Sequence, residues 1–144
     1  MSASPEAHRI ARQWVEKAEN DLLTAEHTLT LEEACPADAT CFHAQQCVEK
    51  YLKAVLILHG VAHPRTHDVA QLVALLPEPS AAGLEPQEQE RLTDYATVTR
   101  YPGDYEPIVV EEARVAVEIA RRARVCLCGI LPPDLSPPGF LTEP

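Results

Sequence analysis

The sequence predicts an all-α protein, an up-and-down bundle of about five helices. Apolar and small residues recur at intervals of three and four through most of the 144 residues, which is the spacing of one helix face. No segment alternates β-branched and polar residues as half-buried strands do. Proline- and glycine-containing segments separate the periodic ones. The short connections favour a bundle of neighbouring helices.

The first predicted helix is long and amphipathic, running from His8 to Leu31. Ser4 and Pro5 precede it and suit a helix start, because proline is favoured in the first turn. Cys35 and Pro36 interrupt the pattern and predict a loop before the next helix. Its apolar face is formed by Ile10, Trp14, Ala18, Leu22, Ala25 and Leu29.

The second predicted helix runs from about Thr40, as the N-cap, to His59. Gly60 supplies the left-handed residue that commonly closes a helix, and Pro64 bars immediate continuation. Its buried stripe is predicted to comprise Ala44, Val48, Tyr51, Leu52, Val55 and Leu58.

Three further helices are predicted, over Thr66–Leu76, Pro86–Thr99 and Pro107–Cys128. Acidic residues open the last of them and arginines close it, as the helix dipole favours. Residues 132–144 carry five of the chain's thirteen prolines and are predicted to be a flexible tail, which leaves residues 1–131 as a single domain.

Composition narrows the classes of function. The chain has 12 Lys and Arg against 22 Asp and Glu, a net charge of −10, so its surface as a whole should repel nucleic acids and acidic membranes. The five cysteines form no CxxC pair and favour a reduced state, with Cys41 and Cys47 in the core. No apolar run is long enough to span a membrane. We therefore expect a cytoplasmic protein.

Polar residues on the second helix form the first candidate site. Gln46, Glu49, Lys50 and Lys53 lie at spacings that place them on one face, away from the apolar stripe. The simpler interpretation is a solvated face stabilised by the Glu49–Lys53 ion pair, and the alternative is a ligand-binding face.

The histidines do not predict a metal site. His59, His63 and His67 are spaced by four residues, but Gly60 and Pro64 break the helix that would stack them. Phosphate-binding loops, serine hydrolase elbows and zinc protease motifs are also missing from the sequence. We expect neither a metal nor a cofactor.

The segment from Arg100 to Tyr105 is the second candidate site. Arg100 stands just before a turn fixed by proline, and Tyr101, Asp104 and Tyr105 follow it. Its guanidinium can bind a phosphate or carboxylate through two hydrogen bonds, and the two tyrosines place phenols nearby. Alternatively, Arg100 caps the fourth helix and the tyrosines serve packing.

These residues together resemble a family. Residues 9–125 resemble a HEPN domain. The resemblance rests on His43-Ala44-Gln45-Gln46, Glu49-Lys50, Lys53-Ala54, Gly60, Thr66-His67-Asp68 and Arg100-Tyr101-Pro102, with Trp14, Ala18, Asp21, Leu22 and Ala25 upstream. The resemblance implies an all-α bundle that usually forms a homodimer with a cleft between protomers. It also implies a minimal nucleotidyltransferase as a partner, and some such pairs act as toxin and antitoxin. The implied ligand is a nucleotide or RNA.

Many HEPN proteins are metal-independent ribonucleases that use an arginine followed, after a gap of about four to six residues, by a histidine. In this sequence Tyr105 stands where that histidine is needed, and a phenol with a pKa near 10 is poorly suited to acid–base catalysis at neutral pH. The spacing of Arg65 and His67 is too short to replace the motif. The resemblance thus implies no assured catalytic residue; Arg100, Tyr105 and His67 are the candidates.

The resemblance also implies a ligand-binding set, comprising Gln46, Glu49, Lys50, Lys53, Arg65, His67, Asp68, Arg100 and Tyr101. The leading hypothesis is a subunit that binds a nucleotidyltransferase, a nucleotide-like ligand, or both, without the ribonuclease motif. The alternative is a ribonuclease toxin in which Arg100 works with His67 or Tyr105. A third hypothesis is that Tyr101 or Tyr105 accepts a nucleotide from the partner enzyme.

Overall fold

The computed structural model describes residues 3–97, 102–103 and 106–137. Within these residues it contains five α-helices and no strand, which confirms the all-α class. The helices are α1 (Pro5–Leu29), α2 (Ala37–Leu58), α3 (Val69–Ala74), α4 (Pro86–Ala96) and α5 (Val110–Cys128). Short 3₁₀ turns occupy Glu32–Ala34, Pro79–Ala82 and Pro133–Leu135.

The first helix begins earlier than the periodicity predicts. Ser4 is its N-cap, and the Ser4 hydroxyl accepts a hydrogen bond from the Ala7 amide at 3.0 Å, with Pro5 in the first turn. The helix start expected at Ser4 and Pro5 is therefore confirmed, and it precedes His8, where the apolar periodicity begins.

The second helix begins at Ala37, so the prediction of Thr40 as its N-cap was wrong. Thr40 is fully buried inside the helix, where its hydroxyl lies 2.7 Å from the Thr28 hydroxyl of α1 and donates to the Pro36 carbonyl at 3.1 Å. The predicted end is confirmed: Gly60 has φ 68° and follows the last turn.

The third and fifth helices begin later than predicted. Asp68 caps α3 by accepting a hydrogen bond from the Gln71 amide at 3.2 Å, so Thr66 and His67 lie before the helix. The fifth helix begins at Val110 rather than Pro107. The fourth helix begins at Pro86, as predicted, and ends at Ala96.

The central helix is α2, which packs against α1, α3, α4 and α5. Its large side chains Tyr51, Leu52 and Leu56 are fully buried. The polar residues Gln45, Gln46, Glu49 and Lys53 are buried as well. The interpretation of this face as a solvated surface was therefore wrong, because neighbouring elements cover α2 on most sides.

The first residues of the predicted tail pack against α1. Leu135 is 3% exposed, and the Asp134 carboxylate lies 2.6 Å from His8 Nε2 and 3.3 Å from Arg12 Nη2. The domain boundary at residue 131 stays a prediction. In the part of the chain that the structure describes, no helix has the length and apolarity to cross a membrane.

Candidate ligand-binding face on the central helix

A buried carboxylate, Glu49 of α2, contacts polar side chains of α2 itself and of the connection between α2 and α3. Glu49 Oε1 accepts hydrogen bonds from Gln45 Nε2 at 2.8 Å and Gln46 Nε2 at 3.3 Å, and lies 2.8 Å from His67 Nδ1. Glu49 Oε2 accepts one from Lys53 Nζ at 2.9 Å. We call these five residues the Glu49 cluster.

The Glu49 carboxylate stays charged although it is buried. Burial raises its pKa, but the hydrogen bonds from Lys53, Gln45 and His67, together with the charge of Lys53, outweigh that effect, so the pKa lies below its ordinary value. Lys53 is further held by Trp14 of α1, whose ring centre lies 5.3 Å from Lys53 Nζ. Glu49 is therefore an ionised carboxylate held by several polar contacts.

His67 brings the Glu49 cluster to the surface. Its side chain is 55% exposed, whereas that of Glu49 is 3% exposed. Because Nδ1 is engaged by the carboxylate, Nε2 is the ring atom left to meet a ligand. A histidine oriented in this way can donate to a phosphate when protonated or accept a proton when neutral.

A second carboxylate, Asp21 of α1, holds a second histidine and lysine. Asp21 Oδ1 lies 2.8 Å from His43 Nδ1, and Asp21 Oδ2 accepts a hydrogen bond from Lys50 Nζ at 2.5 Å. Asp21 is 8% exposed, and Lys50 supplies a positive charge beside it while His43 contacts its other oxygen. We call Asp21, His43 and Lys50 the Asp21 cluster.

The structure brings together Gln46, Glu49, Lys53 and His67 from the predicted ligand-binding set. Lys50 instead joins the Asp21 cluster. Asp68 serves as the cap of α3, and Arg65 lies exposed in the connection before it. Arg100, Tyr101 and Tyr105 lie outside the described residues, so their predicted roles stay predictions.

Three site residues were missed by sequence reasoning, namely Asp21, His43 and Gln45. Asp21 had a readable signal, because it falls between Ala18 and Ala25 on the buried side of α1, where a lone charge requires a partner. Gln45 and His43 stood in the sequence that carried the resemblance, but their spacing alone did not show which carboxylate each would meet.

A side-chain hydrogen bond joins α4 and α5, the two helices that flank the second candidate site in the sequence. Tyr95 of α4 donates a hydrogen bond from its hydroxyl to Glu112 Oε2 of α5 at 2.8 Å. Burial and the Glu112 contact raise the pKa of Tyr95 well above its usual range, so this phenol remains protonated. The helix ends before and after Arg100 are therefore linked.

The described cysteines and acidic residues do not form a metal centre. Within residues 3–97, 102–103 and 106–137, no three His, Cys, Asp or Glu side chains are placed to hold a metal ion. All five cysteines are free thiols, and Cys41 and Cys47 are buried as predicted. Burial raises the pKa of Cys41 to about 12, which makes it a poor nucleophile.

The HEPN domain family matches residues 11–128. The chain belongs to the HEPN domain family. TT1696 from Thermus thermophilus is similar in structure, with a TM-score of 0.70 and 27% identity over 84% of this chain and 98% of that protein. ST0689, an archaeal HEPN homologue, has a TM-score of 0.63 and 26% identity over 83% of this chain and 95% of its own. No curated protein matches the sequence.

Proposed function

We propose that this HEPN protein binds a nucleotide-like ligand at the Glu49 cluster without using an arginine–histidine ribonuclease motif. The observation that carries the proposal is the 2.8 Å contact between buried Glu49 and exposed His67. An imidazole fixed by a buried carboxylate presents one ring nitrogen in a set direction, which suits recognition of a phosphate or base edge.

The surroundings of His67 favour an anionic ligand. Arg65, two residues earlier, is exposed and can form bidentate hydrogen bonds to a phosphate. Glu49 is already neutralised by Lys53, so it adds little repulsion at the surface. Since the chain carries −10 overall, the contact must be local rather than a broad basic surface.

Calorimetric titration with adenosine monophosphate tests this proposal. We expect saturable binding that becomes about ten- to a hundredfold weaker in His67→Gln, since one hydrogen bond to a charged group contributes about 1.5–3 kcal/mol. The matched control is His27→Gln, which changes an exposed histidine of α1 and should leave affinity unchanged. Equal affinity in all three proteins, or no binding to the wild type, would contradict the proposal.

We also propose that the protein acts as a homodimer beside a minimal nucleotidyltransferase. The support is the family membership together with the Tyr at position 105 in place of the motif histidine, which favours a subunit over an independent nuclease. Purification from the native host followed by mass spectrometry should recover the nucleotidyltransferase. Light scattering should give twice the chain mass of 15.8 kDa. A monomer that elutes alone would oppose both parts.

The second candidate function is a metal-independent ribonuclease, and the carboxylate-oriented His67 is the observation that favours it. Such a histidine can serve as a general base, with Arg100 stabilising the phosphate. RNA cleavage should then persist in a chelator and vanish in Arg100→Ala and His67→Gln. RNA that stays intact with the wild type would exclude this function.

The third candidate is nucleotide transfer onto Tyr101 or Tyr105. Co-expression with a minimal nucleotidyltransferase, followed by mass spectrometry of the peptide that contains both tyrosines, tests it. A peptide of unmodified mass would remove this candidate.

A further inference from the structure

A cavity opens at one end of the bundle, where the start of α1, the end of α2 and the residues that follow α5 meet. Its volume is about 700 Å³, which lies within the usual range of small-molecule sites. It shares no described residue with the Glu49 cluster or the Asp21 cluster. Its apolar wall is formed by Ala7, Ile57, Leu58, Ile130 and Pro132.

The lining of this cavity is unusual for the chain in its lack of charge. Asp, Glu, Lys and Arg make up 24% of the sequence, yet none of those in the described residues lines it. Three other cavities, which lie along α1, are each lined by arginine and carboxylate side chains. An ion would lose hydration in the uncharged cavity without gaining a partner of opposite charge. The lining therefore favours an uncharged ligand.

The apolar wall is only partly covered by the protein itself. Ile130 is 41% exposed, and Ile57 and Leu58 are half-buried. A ligand that packs against these three side chains would remove their exposed apolar surface from water, which favours binding. The greater part of the ligand should therefore be apolar.

Two histidines supply polar groups to the cavity. His59 Nδ1 lies 2.9 Å from the Val55 carbonyl oxygen, and His8 Nε2 lies 2.6 Å from Asp134 Oδ2. A carbonyl or carboxylate oxygen only accepts hydrogen bonds, so both of these ring nitrogens donate. In the neutral ring the remaining nitrogen, Nε2 of His59 or Nδ1 of His8, is then an acceptor. A ligand that meets either ring should carry a hydrogen-bond donor.

We propose that this cavity binds an uncharged apolar molecule that carries a hydroxyl group, of which an aliphatic alcohol is the simplest example. The chain of the ligand packs against the apolar wall, and its hydroxyl donates a hydrogen bond to His59 Nε2. His59 is assigned this role because a backbone carbonyl of α2 fixes its ring, whereas the contact of His8 depends on the exposed side chain of Asp134. The site is separate from the Glu49 cluster and goes beyond the proposed nucleotide binding.

Titrations with 1-octanol, its methyl ether and octanoate, followed by the NMR signals of side-chain methyl groups, test this proposal. We expect 1-octanol to shift the signals of Ile57, Leu58 and Ile130 until they saturate. The ether should bind about tenfold more weakly, because it cannot donate the hydrogen bond to His59. Octanoate should also bind more weakly than 1-octanol, because the cavity offers no fixed positive charge in its described lining.

Two variants separate the polar contact from the apolar wall. His59→Phe should bind 1-octanol and the ether equally, because the acceptor is lost while a ring remains. Ile130→Asn should weaken 1-octanol binding about tenfold, as observed at Ile57 and Leu58, because part of the apolar wall is lost. The matched control is Leu31→Asn, which changes a 49% exposed residue outside the cavity and should bind as the wild type does. The methyl spectrum of each variant also shows whether it is folded.

Several results would overturn the proposal. These are an absence of saturable shifts in the wild type, equal affinity for 1-octanol and its ether, tighter binding of octanoate, or shifts centred on the exposed residues Leu23 and Val125. A preference for 1-octanol that persists in His59→Phe would overturn the assignment to His59. Nucleotide binding at the Glu49 cluster is measured separately, so it stands or fails independently of these results.

Discussion

Glu49 is the residue where the chain concentrates its buried polar contacts, and its ionisation should shape the stability of the protein. Its pKa is lower in the folded chain than its ordinary value of 4.5. A carboxylate of this kind stabilises the fold above the unfolded-state pKa, and the stabilisation is lost as pH falls through the folded-state pKa. The free energy of unfolding should therefore decline below about pH 4.5.

Glu49→Gln should flatten this decline. At neutral pH we expect the variant to be about 3 kcal/mol less stable, because Lys53 and His67 lose a buried anionic partner. Urea unfolding at a series of pH values measures both effects. The control is Glu33→Gln, an exposed carboxylate in the turn after α1, which should follow the wild type. A Glu49→Gln profile parallel to that of the wild type would show that Glu49 does not carry the pH dependence.

At the scale of elements, the turn that ends the Pro79–Ala82 segment is fitted closely to α5. Gly83 has φ 67°, and a Cβ added there would lie 2.5 Å from Cys126 Sγ. Gly60 has nearly the same backbone angle, φ 68°, but a Cβ there would meet nothing within 4 Å. A side chain at either glycine would strain the backbone, but only a side chain at Gly83 would also clash with a neighbouring residue.

Gly60→Ala should cost about 1–2 kcal/mol of unfolding free energy, from the left-handed backbone alone. Gly83→Ala should cost more, and Cys126→Ala in the same chain should restore part of the difference. Chemical denaturation of the two single variants, the double variant and Cys126→Ala completes the cycle. Equal losses at the two glycines would mean that the turn moves away from α5 without cost.

The presence of the helices could be predicted from the sequence, but the burial of the polar residues on α2 could not. The three- and four-residue spacing of apolar side chains identified α1 and α2, and Ser4 with Pro5 marked the start of α1. The place of Thr40 inside α2, by contrast, depends on its packing against Thr28. Burial of Gln46, Glu49 and Lys53 depends on Gln45, Trp14 and residues of the α2–α3 connection. Such long-range partners leave no periodic signal in one sequence.

At the scale of the whole molecule, a polar contact joins α1, α2 and α5. Glu19 of α1 accepts hydrogen bonds from Tyr51 of α2 at 2.6 Å and from Arg124 of α5 at 2.7 and 2.9 Å. Only long-range packing could reveal this contact, because the three residues are far apart in sequence. The sequence did predict Tyr51 as part of a buried stripe, though not that its hydroxyl would need an acceptor.

The extent of the folded unit can be tested by truncation. A chain that ends at residue 131 loses Leu135 and the contacts of Asp134 with α1, so it should be about 2 kcal/mol less stable than the full chain. A chain that ends at residue 137 should equal the full chain. Thermal and urea unfolding of the three lengths provide the measurement. Equal stability for the 131-residue chain would support the predicted boundary at that residue.

The hydrogen bond between Tyr95 and Glu112 joins the end of α4 to the start of α5, on either side of residues 98–106 in the sequence. These two helices are fastened to each other, so their spacing does not depend on the residues between them. A substitution within residues 98–106 should therefore leave the contact between α4 and α5 in place.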